Sequence, residues 1–399
     1  MYWHDWIALF LRWFHVIAGI AWIGASFYFI WLDNSLRTPP KWKQDKGIKG
    51  DLWAVHGGGF YEVAKYQYGP DTVPEKLHWF KWEAYTTWIT GMLLMIWVYY
   101  AGAEAYLIDT RVYDFSANEA ILAGLGFIVS GLVVYEIACR SPLSKNAGVF
   151  GVFLVLLLTA YSWGAAQLFS GRGAYMHIGA LIGTIMAGNV LFNIIPSQRK
   201  MVEAVKLNAT IDPSWGAGAK LRSVHNNYLT LPIIFIMISN HYPMTYQHPD
   251  NWLVLVCIAL VSAWIRHYFN LKHLGISRPS ILIFGAILMA AIAFWVSKPT
   301  TTQETPITSS TKTVSKPMPD VVEVIQQHCT GCHSKTPSDE IFVIAPLGIT
   351  LDTWQEIDRW APQIYRRTVV TQDMPMMNKT NMQAEERLVI ADWFESRSE

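Results

Sequence analysis

Eight apolar runs of near membrane-spanning length recur through the first 297 residues, and they constrain the fold more than any other feature. They fall at residues 7–32, 81–100, 117–139, 148–169, 175–196, 226–240, 251–269 and 279–297. A helix needs about 20 apolar residues to cross the hydrocarbon core of a bilayer. Of the 399 residues, 52% are hydrophobic and only 15% are charged, which is too apolar for a soluble protein of this length. The sequence therefore predicts a polytopic domain of eight transmembrane helices over residues 1–297, the sixth being the shortest.

A C-x-x-C-H sequence near the C-terminus is formed by Cys329, Cys332 and His333. This spacing is the covalent attachment signature of a c-type haem, in which both thiols bond the haem vinyl groups and the histidine becomes the proximal iron ligand. A zinc or redox site is the alternative for C-x-x-C. Zinc would need two further ligands, and the other cysteines, Cys139 and Cys257, lie far upstream in apolar runs. The motif therefore predicts haem c.

Three methionines follow the haem motif and offer the second axial ligand of the iron. Met374 is the first choice because it directly precedes a proline, which stiffens the loop, and Met376 and Met377 are alternatives. Histidine and methionine ligation raises the reduction potential of a haem, which suits an electron acceptor. Apolar residues at helical spacing around these ligands predict three helices. Residues 320–399 are thus predicted to be a small all-α domain of the class I cytochrome c type, with His333 and Met374 as iron ligands.

The distribution of basic residues predicts how the chain crosses the membrane. Sixteen lysines and arginines lie in one set of alternating loops, whereas the other set holds only Arg111 and Arg172 between spans. Basic loops remain in the cytoplasm, and c-type haem is attached outside the bacterial cytoplasmic membrane. Both termini and the haem domain are therefore predicted to be periplasmic. Residues 298–319, rich in Thr, Ser, Pro and Lys, are predicted to be a flexible linker.

Two histidines at similar places in the apolar runs indicate an internal repeat. The segment that begins at His15 resembles the one that begins at His177, and the next spans share a Tyr-x-Thr step at residues 85–87 and 228–230. Four helices per half would give halves of the same orientation. The two histidines are interpreted either as ligands of a b-type haem or neighbours of an electron path, or as hydrogen-bonded contacts between helices.

A second layer of polar residues lies toward the predicted cytoplasmic side. Arg266 could pair with an anion there, while Glu83 handles protons. The alternative is that such residues extend to the interface from helix ends. His56 precedes a glycine run that lets backbone approach a ligand closely. The layer comprises Lys81, Glu83, Glu136, Asn189, Asn193, His225, Asn226, Asn227, Arg266 and His267.

Several segments together resemble the bacterial membrane-integrated urate oxidases, which join an eight-span domain to a C-terminal cytochrome c. The likeness is carried by residues 12–15, 22–24, 56–61, 77–85, the haem motif, 348–353, 374–375 and 385–387. It implies oxidation of urate to 5-hydroxyisourate, with electrons passed through the haem to a soluble cytochrome c or a terminal oxidase, and without hydrogen peroxide. Arg266, Glu83 and His56 are predicted from their own chemistry as anion clamp, proton acceptor and contact to the substrate ring.

Two other functions are compatible with this sequence. The membrane domain could anchor an electron-carrying cytochrome that serves a separate dehydrogenase or oxidase, or it could be a transporter with a redox-sensing tail. Nucleic acid is not expected as a partner, because the formal net charge is only +1 and no basic patch is interleaved with aromatic residues.

Overall fold

The computed structural model describes residues 3–109, 112–297, 321–339, 342, 345–346, 349–370 and 372–396. Helices overlap all eight predicted apolar segments. In chain order the elements of the first 297 residues are α1 Trp3–Ser35, α2 Lys41–Gln44, β1 Ile48–His56, β2 Gly59–Tyr66, α3 Trp82–Leu94 with a π-helix Met95–Tyr100, α4 Ala103–Tyr106, α5 Ala117–Arg140, α6 Ala147–Leu168, α7 Gly171–Gly188 with a π-helix Asn189–Ile194, α8 Ile195–Lys206, α9 Pro213–Ser239, α10 Pro243–Tyr246, α11 Asn251–His273 and α12 Ser280–Val296.

Five helical stretches within the described residues are long and apolar enough to cross a membrane. They are Trp6–Ser35, Ala117–Arg140, Ala147–Leu168, Gly171–Lys206 and Asn251–His273, and Ser280–Val296 is a shorter apolar helix. Apolar side chains on their outer faces are exposed, including Ile20 at 67% and Leu122 at 69%. Such surfaces are costly in water and suit association with a membrane. Eight transmembrane spans and a 4+4 repeat stay predictions.

The sixth helix is longer than predicted. The apolar run indicated residues 226–240, whereas α9 spans Pro213–Ser239 and contains Pro232. Asp212 caps its start by accepting a hydrogen bond from the Ser214 amide at 2.8 Å, and a proline at the first helical position suits such a start. As a result, the polar residues 225–227 lie in the middle of a long helix.

The described residues are mostly helical, as predicted, and one β-hairpin departs from the all-α prediction. Strands β1 and β2 pair antiparallel with His56 opposite Gly59. Gly57 and Gly58 form the turn between them at φ of 58° and 80°, which is the left-handed region that a two-residue hairpin turn requires. The glycine run thus forms the turn of a hairpin, whereas the sequence alone predicted a place where backbone approaches a ligand.

The C-terminal part forms its own apolar core. Its helices are α13 Val321–His328, α14 Trp354–Arg359, α15 Ala361–Tyr365 and α16 Ala384–Ser396. Ile325, Ile357 and Ile390 are almost fully buried in one cluster. The three predicted helices are therefore present, with the middle one interrupted at Trp360. The predicted linker lies outside the described residues, and the class I cytochrome assignment stays a prediction.

Candidate functional site

Helix α9 carries three consecutive polar residues, 225–227 (His-Asn-Asn), and each of them forms a hydrogen bond with a different helix. The histidine Nδ1 lies 2.8 Å from Tyr135 Oη on α5. The first asparagine accepts a hydrogen bond from Asn189 Nδ2 at 2.8 Å. The second accepts one from Arg266 Nε at 2.7 Å. Successive helical residues point about 100° apart, so α9 connects a buried polar cluster on one side with Arg266 on the other.

The cluster on the α5 side satisfies its own hydrogen bonds. Arg222 Nη1 lies 2.8 Å from Glu136 Oε2 and donates to Asn189 Oδ1 at 3.0 Å. Asn189 also donates to Tyr135 Oη at 3.0 Å, and it begins the π-helix that interrupts α7 and α8. Such interruptions are frequent at functional sites. Because Arg222 and Glu136 neutralise each other's charge, we interpret this cluster as a structural contact that holds α5, α7 and α9 together.

Arg266 retains an unused donor. Its side chain is buried, with only 4% of its surface exposed. Its guanidinium carbon lies 3.8 Å from the centre of the Phe27 ring, which contributes a cation–π contact. Nη2 is buried and has no hydrogen-bond partner within the described part of the chain. A buried donor without a partner is costly, so this atom is suited to an anionic or polar ligand.

Glu83 presents the complementary acceptor. It lies in the first turn of α3, and its Oε2 is buried without a hydrogen-bond partner among the residues that the structure describes. His78 Nε2 is 4.0 Å from the other carboxylate oxygen. Asn193 Nδ2, in the π-helix after α7, is a further buried donor without a described partner. An acceptor and two donors without partners are the groups that a planar polar ligand would use.

Contacts between α1 and α3 place the first turn of α3, which contains this glutamate, beside the second half of α1. A Cβ built on Gly19 would lie 4.0 Å from the methyl group of Thr87. The rings of Phe29 and Phe80 are 4.7 Å apart. The glutamate lies between these two contacts along α3, and Phe27 lies between them along α1. Since Phe27 contacts the Arg266 guanidinium, the helices that carry the two charged groups, α3 and α11, both pack against α1.

His56 lies apart from this region. It is exposed at the end of β1, next to the hairpin turn. The neighbouring Val55 and Phe60 are also exposed, at 69% and 80%. The structure therefore places Glu83 and Arg266 on helices that both pack against α1, whereas His56 lies apart on the hairpin. The role of His56 as a substrate contact stays a prediction.

The two histidines of the predicted repeat contact different levels of the same helix. His15 Nδ1 lies 3.0 Å from both the Thr87 carbonyl and Thr90 Oγ1. His177 Nε2 lies 3.3 Å from Tyr100 Oη, and its other ring nitrogen contacts a backbone carbonyl one turn earlier. Ten residues of helix separate these contacts by about 15 Å. Both rings thus serve as hydrogen-bonded contacts between helices in this structure, and b-type haem ligation by the pair stays a prediction.

The residues of the C-x-x-C-H motif fit a c-type haem. Cys329 and Cys332 carry free thiols. The Nδ1 of His333 lies 3.0 Å from the Ile349 carbonyl, to which it donates, and this leaves Nε2 for a metal. Burial lowers the pKa of His333, which favours the neutral imidazole that a metal ligand needs. Within the described residues no group of three or more His, Cys, Asp or Glu side chains is arranged for a metal ion, so zinc lacks its further ligands there.

Arg387 holds the methionine-rich segment in place. Its Nη1 donates to the Met374 carbonyl at 2.9 Å, and its Nη2 donates to Asn378 Oδ1 at 3.2 Å. The Met374 amide in turn donates to the Arg367 carbonyl at 3.0 Å. A buried guanidinium thus fixes both ends of the segment that offers the three thioethers. The choice of Met374 as axial ligand stays a prediction.

Three residues of these sites were missed from the sequence. Arg222 is one of the sixteen basic residues that the sequence predicts in cytoplasmic loops, because the apolar run of the sixth span begins after it. Tyr135 lies within an apolar run, where nothing marks its hydroxyl as a partner for a histidine. Arg387 lies in residues 385–387, which carry part of the family resemblance, but only the folded structure shows which groups it binds.

Comparison with known proteins identifies the family. Apolar helices of membrane-spanning length, with buried arginine and partly buried glutamate side chains between them, are characteristic of a helical membrane-associated protein. Residues 1–297 match the family model described as urate oxidase N-terminal, and the chain belongs to that family. Neither the curated proteins nor the solved structures include a significant match.

Proposed function

We propose that this protein oxidises urate to 5-hydroxyisourate in the bacterial inner membrane and passes the electrons through a c-type haem to the respiratory chain. Membership of the urate oxidase N-terminal family supports urate as the substrate and an oxidoreductase activity. The observation that carries the residue assignment is the buried Nη2 of Arg266, which has no described partner. The acceptor beyond the haem would be a soluble cytochrome c or a terminal oxidase.

The balance of the reaction sets what the site must supply. One urate monoanion and one water molecule give neutral 5-hydroxyisourate, two electrons and one proton. The oxygen of the new hydroxyl group comes from water, so no hydrogen peroxide forms. The site must therefore hold a planar anion, orient a water molecule and accept a proton.

The described residues divide these tasks. Arg266 holds the anion through Nη2, since its Nε is already bound to Asn227. Glu83 accepts the proton at Oε2, and Asn193 Nδ2 donates to a ring carbonyl. Charge-assisted hydrogen bonds of this kind are stronger than neutral ones, and more so away from water.

In the C-terminal domain, Cys329, Cys332 and His333 would hold the haem covalently and through the iron, with Met374 as the second axial ligand. A c-type haem supplies one-electron acceptor chemistry. Arg387 keeps Met374 and Asn378 in position, and the Ile349 carbonyl keeps the His333 ring oriented.

Anaerobic titration of the purified full-length protein with urate tests the proposal. We expect the absorbance of reduced c-type haem to appear, with two equivalents of haem reduced per urate consumed, and no peroxide when air is readmitted. If urate does not reduce the haem, but a quinol or a partner dehydrogenase does, the protein would instead be an anchored electron carrier. Arg140→Gln, at an exposed side chain, is the matched control for Arg266→Gln.

A further inference from the structure

We infer that Tyr106, Arg172 and Tyr246 form a docking platform on the helical bundle for the edge of the C-terminal domain that carries Met374. This inference deepens the proposed function, on which its redox role depends, because it names the surface where the two domains meet. We call these three residues the Arg172 platform. They come from α4, the start of α7 and α10, at one end of the bundle.

Arg172 organises the platform. Its guanidinium carbon lies 5.7 Å from the centre of the Tyr106 ring and 5.8 Å from that of Tyr246, so one cation contacts two aromatic faces. Nη2 donates to the Asn240 carbonyl at 3.2 Å. Nε is buried without a hydrogen-bond partner within the described residues. The cation is therefore fixed in place between the two rings.

The backbone around the platform is tightly packed. A Cβ built on Gly171 would lie 1.9 Å from the Tyr246 carbonyl oxygen, so only glycine permits this approach. Tyr175 Oη donates to the Thr245 carbonyl at 3.1 Å. These contacts attach α10 to the start of α7. The platform is thus held together by contacts within the helical bundle.

Three segments of the C-terminal domain face the platform. The ring of Phe342 lies 6.3 Å from that of Tyr106 in an edge-to-face arrangement. The turn Met376–Asn378 lies against α4. Asp373, paired with Arg367 at 2.7 Å, is close enough to Tyr246 to act electrostatically on its hydroxyl. Asp373 is adjacent to Met374, and the turn begins two residues after it, so the platform faces the predicted axial-ligand loop.

Aromatic residues continue from the platform into the bundle. The ring of Tyr106 lies 6.0 Å from that of Tyr99. Tyr100, the next residue, contacts His177 at 3.3 Å. The platform therefore lies between the methionine segment and the aromatic interior of the urate oxidase domain, which is where electrons would leave that domain.

The sequence supports the same arrangement independently. The platform residues belong to the sparsely basic loops that the charge distribution predicts to be periplasmic, and the haem motif predicts a periplasmic tail. The contacts thus join two parts of the chain that were assigned to the same side by separate arguments.

Photocrosslinking of the full-length protein tests the platform directly. We would replace Tyr106 with p-benzoylphenylalanine and, as the matched control, Tyr242, which is exposed at the same end of the bundle. Irradiation should join the first variant to a peptide that contains Phe342 or residues 372–378, with a yield at least fivefold above that of the control. Arg172→Gln in the same background should lower the yield more than threefold, and Arg172→Lys should lower it less.

Equal yields at the two positions, or crosslinks from Tyr106 to other peptides, would overturn the platform. The measurement needs no urate, so it separates this inference from the proposed function. A specific crosslink together with a haem that urate does not reduce would retain the docking surface and reject urate oxidation. Reduction of the haem by urate without the crosslink would retain urate oxidation and reject the docking surface.

Discussion

Arg266 is held on two sides, by Asn227 at Nε and by the ring of Phe27 at 3.8 Å from the guanidinium carbon. These contacts leave Nη2 as the atom with no described partner. Because the guanidinium is already oriented, little rotamer freedom is lost when it binds an anion. This arrangement favours recognition of a planar anion through one edge of the arginine.

Replacing Arg266 should weaken urate binding. A hydrogen bond to a charged group contributes about 1.5–3 kcal/mol, so Arg266→Gln should raise the KM for urate about 10- to 150-fold. Arg266→Lys should recover only part of the loss, because an ammonium group cannot bind Asn227 and the substrate in the same geometry. Steady-state kinetics with urate measure the effect. A KM unchanged from the parent protein in both variants would contradict the assignment.

Replacing Glu83 should lower the rate more than the binding. If Oε2 accepts the proton of the reaction, Glu83→Gln should reduce kcat by about 10²- to 10⁴-fold, the usual contribution of a general base. The KM should change little, because glutamine keeps the shape of the side chain. Rapid-mixing measurement of haem reduction reports the rate, and the exposed Glu75→Gln is the control. An equal loss of kcat in both variants would show that Glu83 is not the proton acceptor.

Replacing Gly124 should displace His177. A Cβ at this position would lie 2.3 Å from His177 Nε2, so alanine forces the ring away from Tyr100. Overpacking of this kind costs about 1–3 kcal/mol, and the thermal midpoint should fall. Gly126→Ala on the same helix is a matched control, since a Cβ there meets nothing within 4 Å. A thermal midpoint that falls equally in both variants would show that the contact with His177 is not the cause.

Hydropathy located the helices well but not their polar parts. The run at residues 117–139 corresponds to α5 within a residue or two. In contrast, Arg222 and His225 in the first half of α9 precede the predicted run at residues 226–240, and that run begins with two asparagines, residues 226 and 227. These side chains are buried only because α5, α7 and α11 supply their partners. That information resides in tertiary contacts.

The candidate site was predictable as a set of residue types but not as a geometry. The sequence singled out Glu83 and Arg266 because charges in apolar segments are costly. The positions of their helices depend on how α1 packs against α3 and α11. For His15 and His177, matching positions in sequence suggested a shared level. The packing of α3 against both helices separates them along its axis.

The C-terminal domain should lose stability in acid through Glu356. Hydrogen bonds from Thr350 and from the Thr353 amide and hydroxyl lower the pKa of Glu356 to about 2, from an ordinary value of 4.5. A folded-state pKa below the unfolded one stabilises the fold above about pH 4.5, and this contribution disappears as the pH falls toward 2. Glu356→Gln should therefore lower the denaturant midpoint of this domain at pH 7, and the difference from the parent protein should shrink between pH 4.5 and 2.

Denaturant unfolding of the full-length protein in detergent, followed by the absorbance of the proposed c-type haem at several pH values, measures that difference. The control is Glu323→Gln, at an exposed carboxylate in the first turn of α13. Because Glu356 completes a capping box with Thr353 at the start of α14, the loss should also increase hydrogen exchange in that helix. If Glu356→Gln and Glu323→Gln instead lower the midpoint by equal amounts, both at pH 7 and at pH 3, the ionised carboxylate of Glu356 makes no specific contribution to stability.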